Sequence, residues 1–233
     1  MTVAAIVPAA GRGERLGPGA PKALRTIAGV PMLVHAVRSL AAARLVDTVV
    51  VAAPLDEVAA VRSMLAGHEF AADVDVIAGG DTRQDSVRLA LRALAGDVDT
   101  VLVHDAARPL APPELADSVV RTIRTGAEAV VPSAPVVDTV KEVDLAGRVV
   151  RTIDRTQLRA AQTPQGFRRD VLERAHEAAD ASAPATDDAG LVERLGRPVV
   201  VIPGAEEAFK VTSPVDLVLA EVVLTRQRSA HGR

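Results

Sequence analysis

The first chemical signal is a run of glycines and two cations near the N-terminus. Val3-Ala4-Ala5-Ile6-Val7 is a short apolar run that breaks at Pro8. It opens into Ala9-Ala10-Gly11-Arg12-Gly13-Glu14-Arg15-Leu16-Gly17, and Pro21-Lys22 follows after a Pro/Gly stretch. A buried strand feeding a small-residue loop presents bare backbone N–H groups to an anion. Arg15 and Lys22 add positive charge that packing does not require. Strand, loop and cations together describe a polyphosphate site at the open end of an α/β sheet. A dinucleotide site fits less well. Gly11-x-Gly13-x-x-x-Gly17 is one residue too long for G-x-G-x-x-G, and the second strand ends at Ala52-Ala53-Pro54 without a ribose-binding acid. A P-loop fails because no Gly-Lys-Ser/Thr follows the glycines. The plain structural alternative is a tight turn with Arg15 and Lys22 solvated.

The elements that must hold this loop are legible as alternating strands and helices. Apolar runs at Val3–Val7, Thr48–Ala53, Val74–Ala78, Thr100–His104 and Ala129–Pro132 predict strands covered on both faces, as in a parallel sheet. Between them, Pro31 to Ala43, Asp56 to Ala66, Thr82 to Leu94 and Pro113 to Arg124 read as helices. Val87, Leu91 and Leu94 recur at i, i+4, i+7, and Pro113 suits a first helical turn. This βαβα order predicts an α/β, Rossmann-like, doubly wound and mostly parallel sheet with right-handed crossovers. From Val136 to Arg155 the residues alternate without a helix, around Asp144-Leu145-Ala146-Gly147. That stretch reads as a protruding β-hairpin arm over about 136–157. A hairpin is marginal alone, so a second subunit is a reasonable support for it.

Helix resumes at Arg168 to Ala179, Thr186-Asp187-Asp188 reads as an N-cap with first-turn acids, and Val199–Ile202 is a strand. A last helix is capped by Ser213, with Pro214 in its first turn and Val215, Val218, Leu219, Val222 and Val223 as its apolar face. No internal repeat or long linker divides the chain, so one domain over 1–233 is expected.

Composition narrows the function classes. Among 233 residues, 27 Lys and Arg stand against 30 Asp and Glu, a balance that argues against a nucleic-acid binder with a basic face. The absence of cysteine excludes disulfides, thiolate metal sites and cysteine nucleophiles. No apolar stretch approaches the roughly 18–20 residues of a membrane span. The N-terminal run lacks a basic flank and is too short for a signal peptide, so a cytoplasmic location is expected. The only aromatics are Phe70, Phe167 and Phe209, which leaves no platform for stacking single-stranded bases.

More motifs follow the opening loop in order: Gly79-Gly80-Asp81-x-Arg83-x-x-Ser86-Val87, His104-Asp105-Ala106-Ala107-Arg108-Pro109, Asp138-Thr139-Val140-Lys141, Asp154-Arg155, Gln162-Thr163-Pro164-Gln165, Thr186-Asp187-Asp188 and Lys210-Val211-Thr212. The opening loop with Pro21-Lys22 resembles nucleotidyltransferases of Rossmann-like fold. The whole series, spanning about Val3 to Leu224, resembles the 2-C-methyl-D-erythritol 4-phosphate cytidylyltransferases of the non-mevalonate isoprenoid pathway. The chain stops soon after its last helix, so a fusion with the next cyclodiphosphate synthase is not expected.

The resemblance implies transfer of CMP from CTP to a sugar-alcohol phosphate with release of pyrophosphate. It implies that Ala9, Ala10, Gly11, Gly13, Arg15, Lys22, Gly80, Asp81, Arg83, Ser86 and Ala106 bind CTP. Asp105, Arg108, Thr139, Arg155 and Lys210 would bind the acceptor, Asp105 would also bind Mg²⁺, and Arg15, Lys22, Arg155 and Lys210 would carry the catalysis. The arm would embrace a second subunit in a homodimer, taking Thr139 and Arg155 to the partner's site.

The residue types agree, and leave alternatives beside each. A phosphate nucleophile has a second pKa of about 6 and needs no protein base, so positioning and charge neutralisation must suffice. Asp105 suits Mg²⁺, which takes one or two carboxylates plus phosphates, or serves as a turn aspartate. Arg108 meets substrate or pairs with Asp105. Asp81 caps a helix, touches ligand, or both. Gly80 allows close approach of a base, Ser86 can bond a base edge, and Arg83 can be a solvated helix residue. His104, Thr163-Pro164-Gln165 and Thr186-Asp187 read as structural. Rival functions are ribitol-5-phosphate cytidylyl transfer, sugar-1-phosphate nucleotidyl transfer, and non-catalytic nucleotide sensing.

Overall fold

A computed structural model describes residues 1–11, 22–180 and 185–231, the side chains of 22 and 228–231 excepted. The five predicted strands form, extended by a residue or more in four cases: β1 (Thr2–Pro8), β4 (Thr48–Ala53), β5 (Asp73–Ala78), β6 (Val98–Val103) and β7 (Ala129–Pro135). A small hairpin of β2 (Thr26–Ile27) and β3 (Val30–Pro31) precedes α1 (Met32–Ala41). Its turn places Ala28 and Gly29 at φ 49° and 78°. Helices α2 (Val58–Ala66), α3 (Arg83–Ala93) and α4 (Pro113–Arg124) fill the crossovers. The helix expected from Asp56 begins at Val58, after a short 3-10 turn over Leu55–Glu57.

Alternate residues of β1 serve two cores, which is why its apolar run is continuous. Val3, Ala5 and Val7 pack with Leu33, Val37, Val61, Leu65, Val119 and Ile123 of α1, α2 and α4. Ala4 and Ile6 face the other way, toward Val87 and Leu91 of α3 and toward Leu172 and Val192 of α5 (Arg169–Glu177) and α6 (Asp188–Arg194). β1 lies between β4 and β6, parallel to both, and β5 extends the sheet beyond β4. The order β5-β4-β1-β6 reverses between β1 and β6, and ligands of open α/β sheets bind at that crevice.

Besides the short β2–β3 hairpin, two strands escape the sequence pattern. β10 (Arg159–Ala161) and β11 (Gln165–Arg168) run antiparallel to β7, and β11 is inserted between β6 and β7. β12 (Val199–Pro203) completes the sheet, parallel to β7. The sheet is mostly parallel, with two antiparallel members.

The arm is β8 (Lys141–Val143) and β9 (Val149–Thr152), a separate two-stranded sheet with every residue exposed. Asp144 closes its turn by accepting from Ala146 N and Arg148 N, both at 2.9 Å, with Gly147 at φ 76°. The arm leaves from the end of β7 and returns into β10, where Pro135 pairs with Arg159.

The last helix, α7 (Pro214–His231), corrects the expected face. Leu217, Ala220, Val223 and Leu224 pack on Ile27, Met32, Leu110 and Val211, whereas Val215, Val218, Leu219 and Val222 are exposed. The helix is apolar on two sides, so periodicity alone does not choose between them.

Candidate active site

Residues 9–11 after β1, the segments after β5 and β6, and the segment after β12 bring Ala9, Ala10, Gly80, Asp105, Arg108 and Lys210 to one end of the sheet. Ala9 leaves β1 with its N–H on Ala52 O at 2.8 Å, and Gly79 leaves β5 with its N–H on Ala53 O at 2.7 Å. A Cβ on Gly79 would lie 2.7 Å from Ala10 Cβ, so this glycine is what lets the two loops touch. Gly80 is likewise confined, against the Asp85 side chain. Its missing Cβ admits the first turn of α3. Ser86 is buried, and its hydroxyl accepts from Gly80 N at 3.1 Å and donates to Thr82 O at 2.9 Å. Ser86 thereby shapes the loop. The α3 cap is Thr82, accepting from Asp85 N at 3.0 Å, and not Asp81, which is exposed.

Asp105, just past β6, is the centre of the constellation. Its Oδ1 accepts from Arg83 Nε at 3.2 Å and its Oδ2 from Lys210 Nζ at 2.6 Å. Burial alone would push the Asp105 carboxyl up. The charges of Arg83 and Lys210, with the Lys210 hydrogen bond, outweigh it and hold this carboxyl well below the usual carboxylate range. Arg83 is therefore no solvated helix residue. Its Nη1 donates to Asp188 Oδ2 at 2.6 Å, so one guanidinium bridges two carboxylates. Desolvation opposes its charge, but the two carboxylates prevail and raise its pKa. Asp188 in turn accepts from His176 Nε2 at 2.9 Å.

Arg108 does not pair with Asp105. It donates to Ala208 O at 2.6 Å and to Ala161 O at 3.0 Å, tying the loop after β6 to the Lys210 segment and to the root of the arm. Val211 N on Ala107 O, at 2.8 Å, reinforces that tie, and Ala106 is buried beside it. Thr139 and Arg155 lie on the exposed arm, where Arg155 donates to Val137 O. No hydrogen bond or ion pair joins either to the Asp105 cluster among the described residues. Gly13 and Arg15 lie outside the described residues. Lys22 opens a 3-10 turn over Lys22–Leu24.

His104 is fully buried and structural. Its Nε2 faces Arg108 O at 3.2 Å and its Nδ1 faces Thr163 Oγ1 at 3.0 Å, while that same oxygen accepts from Asp105 N at 3.0 Å. The carbonyl requires a donor, so the network assigns the neutral Nε2–H tautomer, with Thr163 donating to Nδ1. Burial pushes the His104 pKa down from 6.5 to about 4. As pH falls through 6.5 an unfolded chain binds a proton here, and the folded one resists until about 4. Stability from this group is complete above pH 6.5 and falls on acidification toward pH 4, by up to about 3 kcal/mol. Urea unfolding of the ligand-free protein between pH 7 and 4 should show that loss, and His104→Gln should flatten it. Parallel profiles for the two proteins would refute the assignment.

Sequence reasoning does not find three residues that support the site. Asp188 and Thr163 stand in motifs that carry the resemblance but receive no site role from it, Asp188 reading as a first-turn acid and Thr163 as structural, and His176 lies in a helix without further signal. Two adjacent acids at a helix start are the available signal for Asp188, but nothing local says which one turns inward.

Known proteins resemble this chain in sequence and fold. The model of the 2-C-methyl-D-erythritol 4-phosphate cytidylyltransferase family matches residues 3–226. A protein of that description from Frankia casuarinae is 63% identical over 224 residues, covering 96% of this chain and 82% of the relative. Another from Streptomyces avermitilis is 56% identical over 237 residues, covering 98% and 94%. The crystal structure of the Thermus thermophilus cytidylyltransferase superposes with a TM-score of 0.75 at 36% identity, covering 96% and 98% of the two chains. A 4-diphosphocytidyl-2C-methyl-D-erythritol synthase structure from Anaerococcus prevotii gives 0.82 at 26% identity, covering 96% of each. By sequence over nearly its whole length, and by fold, the chain belongs to the 2-C-methyl-D-erythritol 4-phosphate cytidylyltransferase family.

Proposed function

We propose a division of labour for the cytidylyl transfer from CTP to 2-C-methyl-D-erythritol 4-phosphate that this family membership assigns. The observation that carries it is the ionised Asp105 held between Lys210 and Arg83 at the point where the strand order reverses. A phosphate oxygen of the acceptor attacks the α-phosphorus of CTP. The new P–O bond forms as the bond to the β-phosphate oxygen breaks, and pyrophosphate leaves with that electron pair. The acceptor phosphate is largely ionised at pH 7, so no proton need be removed. His104, bonded through both ring nitrogens, is not available as a base.

The loop after β1 takes the triphosphate, with Arg15 and Lys22 neutralising charge that builds at the α-phosphorus. Gly80 and Asp81, on the loop shaped by Ser86, and Ala106 would contact cytosine and ribose. Lys210 and Arg108 face the acceptor. Mg²⁺ would be held by Asp105. No group of three or more His, Cys, Asp or Glu among the described residues makes a self-sufficient cage, so a cation would arrive on phosphates and share the Asp105 oxygens with Arg83 and Lys210. The ion would supply charge neutralisation for the phosphates that Asp105 and Lys210 face. No helix among the described residues is long and apolar enough to cross a membrane. The enzyme is proposed to work in the cytoplasm as a homodimer. The exposed arm, with Val143, Leu145, Val149 and Val150, and the bare α7 face offer apolar surface for a second copy.

Pyrophosphate release from CTP with 2-C-methyl-D-erythritol 4-phosphate and Mg²⁺ tests the reading. Equal turnover of ribitol 5-phosphate would overturn the acceptor assignment, and no release with either would favour a nucleotide sensor. Arg155→Ala and Lys210→Ala should each raise the acceptor KM about tenfold or more while moving the CTP KM far less. Mixing the two variants should restore activity, because one of the heterodimer's two sites then regains both cations. Verified heterodimers that stay inactive would place Arg155 and Lys210 in sites built within one subunit.

A further inference from the structure

We propose that Asp188, backed by His176, is a positioning residue for the transfer: it acts through Arg83 to keep Asp105 oriented for the acceptor. The inference rests on the reading of Asp105 given above. Asp188 is 1% exposed, and its two oxygens are divided between Arg83 Nη1 at 2.6 Å and His176 Nε2 at 2.9 Å. Its place is set from outside the cluster. Gln165 on β11 donates to Asp187 Oδ2 at 2.7 Å and accepts from Ala189 N at 3.2 Å, so α6 starts at a fixed point on the sheet. Asp187 caps that helix through Gly190 N at 2.9 Å, which leaves Asp188 as the inward acid.

A guanidinium is a rigid planar fork, and left with one carboxylate it prefers to grip both oxygens. In this structure Asp188 holds Nη1, which fixes the rotation of the guanidinium so that Nε meets Asp105 Oδ1. Oδ2 accepts from Lys210 Nζ. The four charges, Lys210 and Arg83 against Asp105 and Asp188, also sum to zero. Neutralising Asp188 leaves one uncompensated positive charge on the partly exposed Arg83 and Lys210, and it removes the anchor on Nη1, so Arg83 swings toward the Asp105 edge that the acceptor and Lys210 use.

Asp188→Asn keeps the shape and removes the charge. It should raise the KM for 2-C-methyl-D-erythritol 4-phosphate about tenfold and leave the CTP KM within about twofold. Calorimetric binding of that acceptor, without nucleotide or metal, should weaken by a similar factor. In an Arg83→Gln background the same substitution should have no further effect on either readout. An equal effect in both backgrounds, or a lower melting temperature with unchanged acceptor KM and affinity, overturns the proposal. Should Asp188→Asn not fold, His176→Leu removes only the donor behind Asp188 and should shift the acceptor readouts in the same direction. A folded His176→Leu with wild-type acceptor affinity and KM then overturns it. If Asp105→Asn also leaves the acceptor untouched, the Asp105 reading has failed; if Asp105→Asn alone weakens the acceptor, only the role of Asp188 has failed.

Discussion

Asp105→Asn is expected to lower kcat/KM for the acceptor by about 10²–10³-fold. The substitution leaves Arg83 Nε and Lys210 Nζ, now 3.2 and 2.6 Å from carboxylate oxygens, facing a neutral amide. An amide offers one acceptor oxygen and an NH₂ donor, so one of the two cations meets a donor instead of a partner. At an effective dielectric of about 20, two unit charges 4 Å apart repel by about 4 kcal/mol, and the carboxylate between Arg83 and Lys210 is what offsets that repulsion. Removing it displaces Lys210, which is 41% exposed, before Arg83, which Asp188 still holds. The acceptor therefore loses an ordered cation, and the site loses its candidate ligand for Mg²⁺. The partial exposure of Lys210 limits the cost to the fold, so the melting temperature should move much less than the rate. Steady-state kinetics beside a thermal melt separates the two. A variant retaining more than half of wild-type kcat/KM would remove Asp105 from the site.

How far this cluster is legible depends on where each residue's environment is written. β1 and β4 declare themselves because both faces of each strand are covered, so their runs are apolar without interruption. β10 and β11 carry Arg159, Gln165, Gly166 and Arg168, with no β-branched residue among them. β11 is a strand because β6 and β7 offer a gap of the right width, and β10 because β7 offers it an antiparallel partner, facts held by elements distant in sequence. Gly166 is there for a packing reason, since a Cβ would meet Val119 of α4. The exposed stripe on α7 looks like a core face for a related reason: its other side is apolar too, and a single chain cannot show which is covered. Asp105 is placed by its position after an apolar run, but its two cations come from 22 residues before it and 105 after it. The resemblance supplies Lys210; nothing local supplies Asp188, 105 residues from the arginine it orients. Charge networks that close over such separations are invisible to periodicity, and only the folded sheet brings them together.

Lys22→Ala is expected to cut kcat by about 10²–10³-fold with the fold intact. The backbone here is well anchored. Lys22 begins the 3-10 turn that continues through Ala23, 7% exposed in the core beneath α1, and Leu24, packed against the same core. Met32 N on Arg25 O, at 2.8 Å, locks the turn to the start of α1. A lysine carried on such a turn starts from a fixed point of backbone, which is a condition for electrostatic preorganisation. The reaction requires it because acceptor and donor are both anions. Each uncompensated pair of charges at contact costs about 4 kcal/mol at an effective dielectric near 20, and about 2.7–4 kcal/mol per lost stabiliser corresponds to the stated loss in rate. Ala23 and Leu24 carry the packing, so truncation of Lys22 to alanine should leave the melting temperature within about 2 °C of wild type. The loss should fall on kcat more than on either KM, since the charge being neutralised grows as the α-phosphorus becomes five-coordinate. Lys22→Arg, which keeps the charge but changes its shape and reach, should recover part of the rate. Near-wild-type turnover by Lys22→Ala, measured as pyrophosphate release at saturating CTP and acceptor, would mean that the triphosphate is neutralised elsewhere.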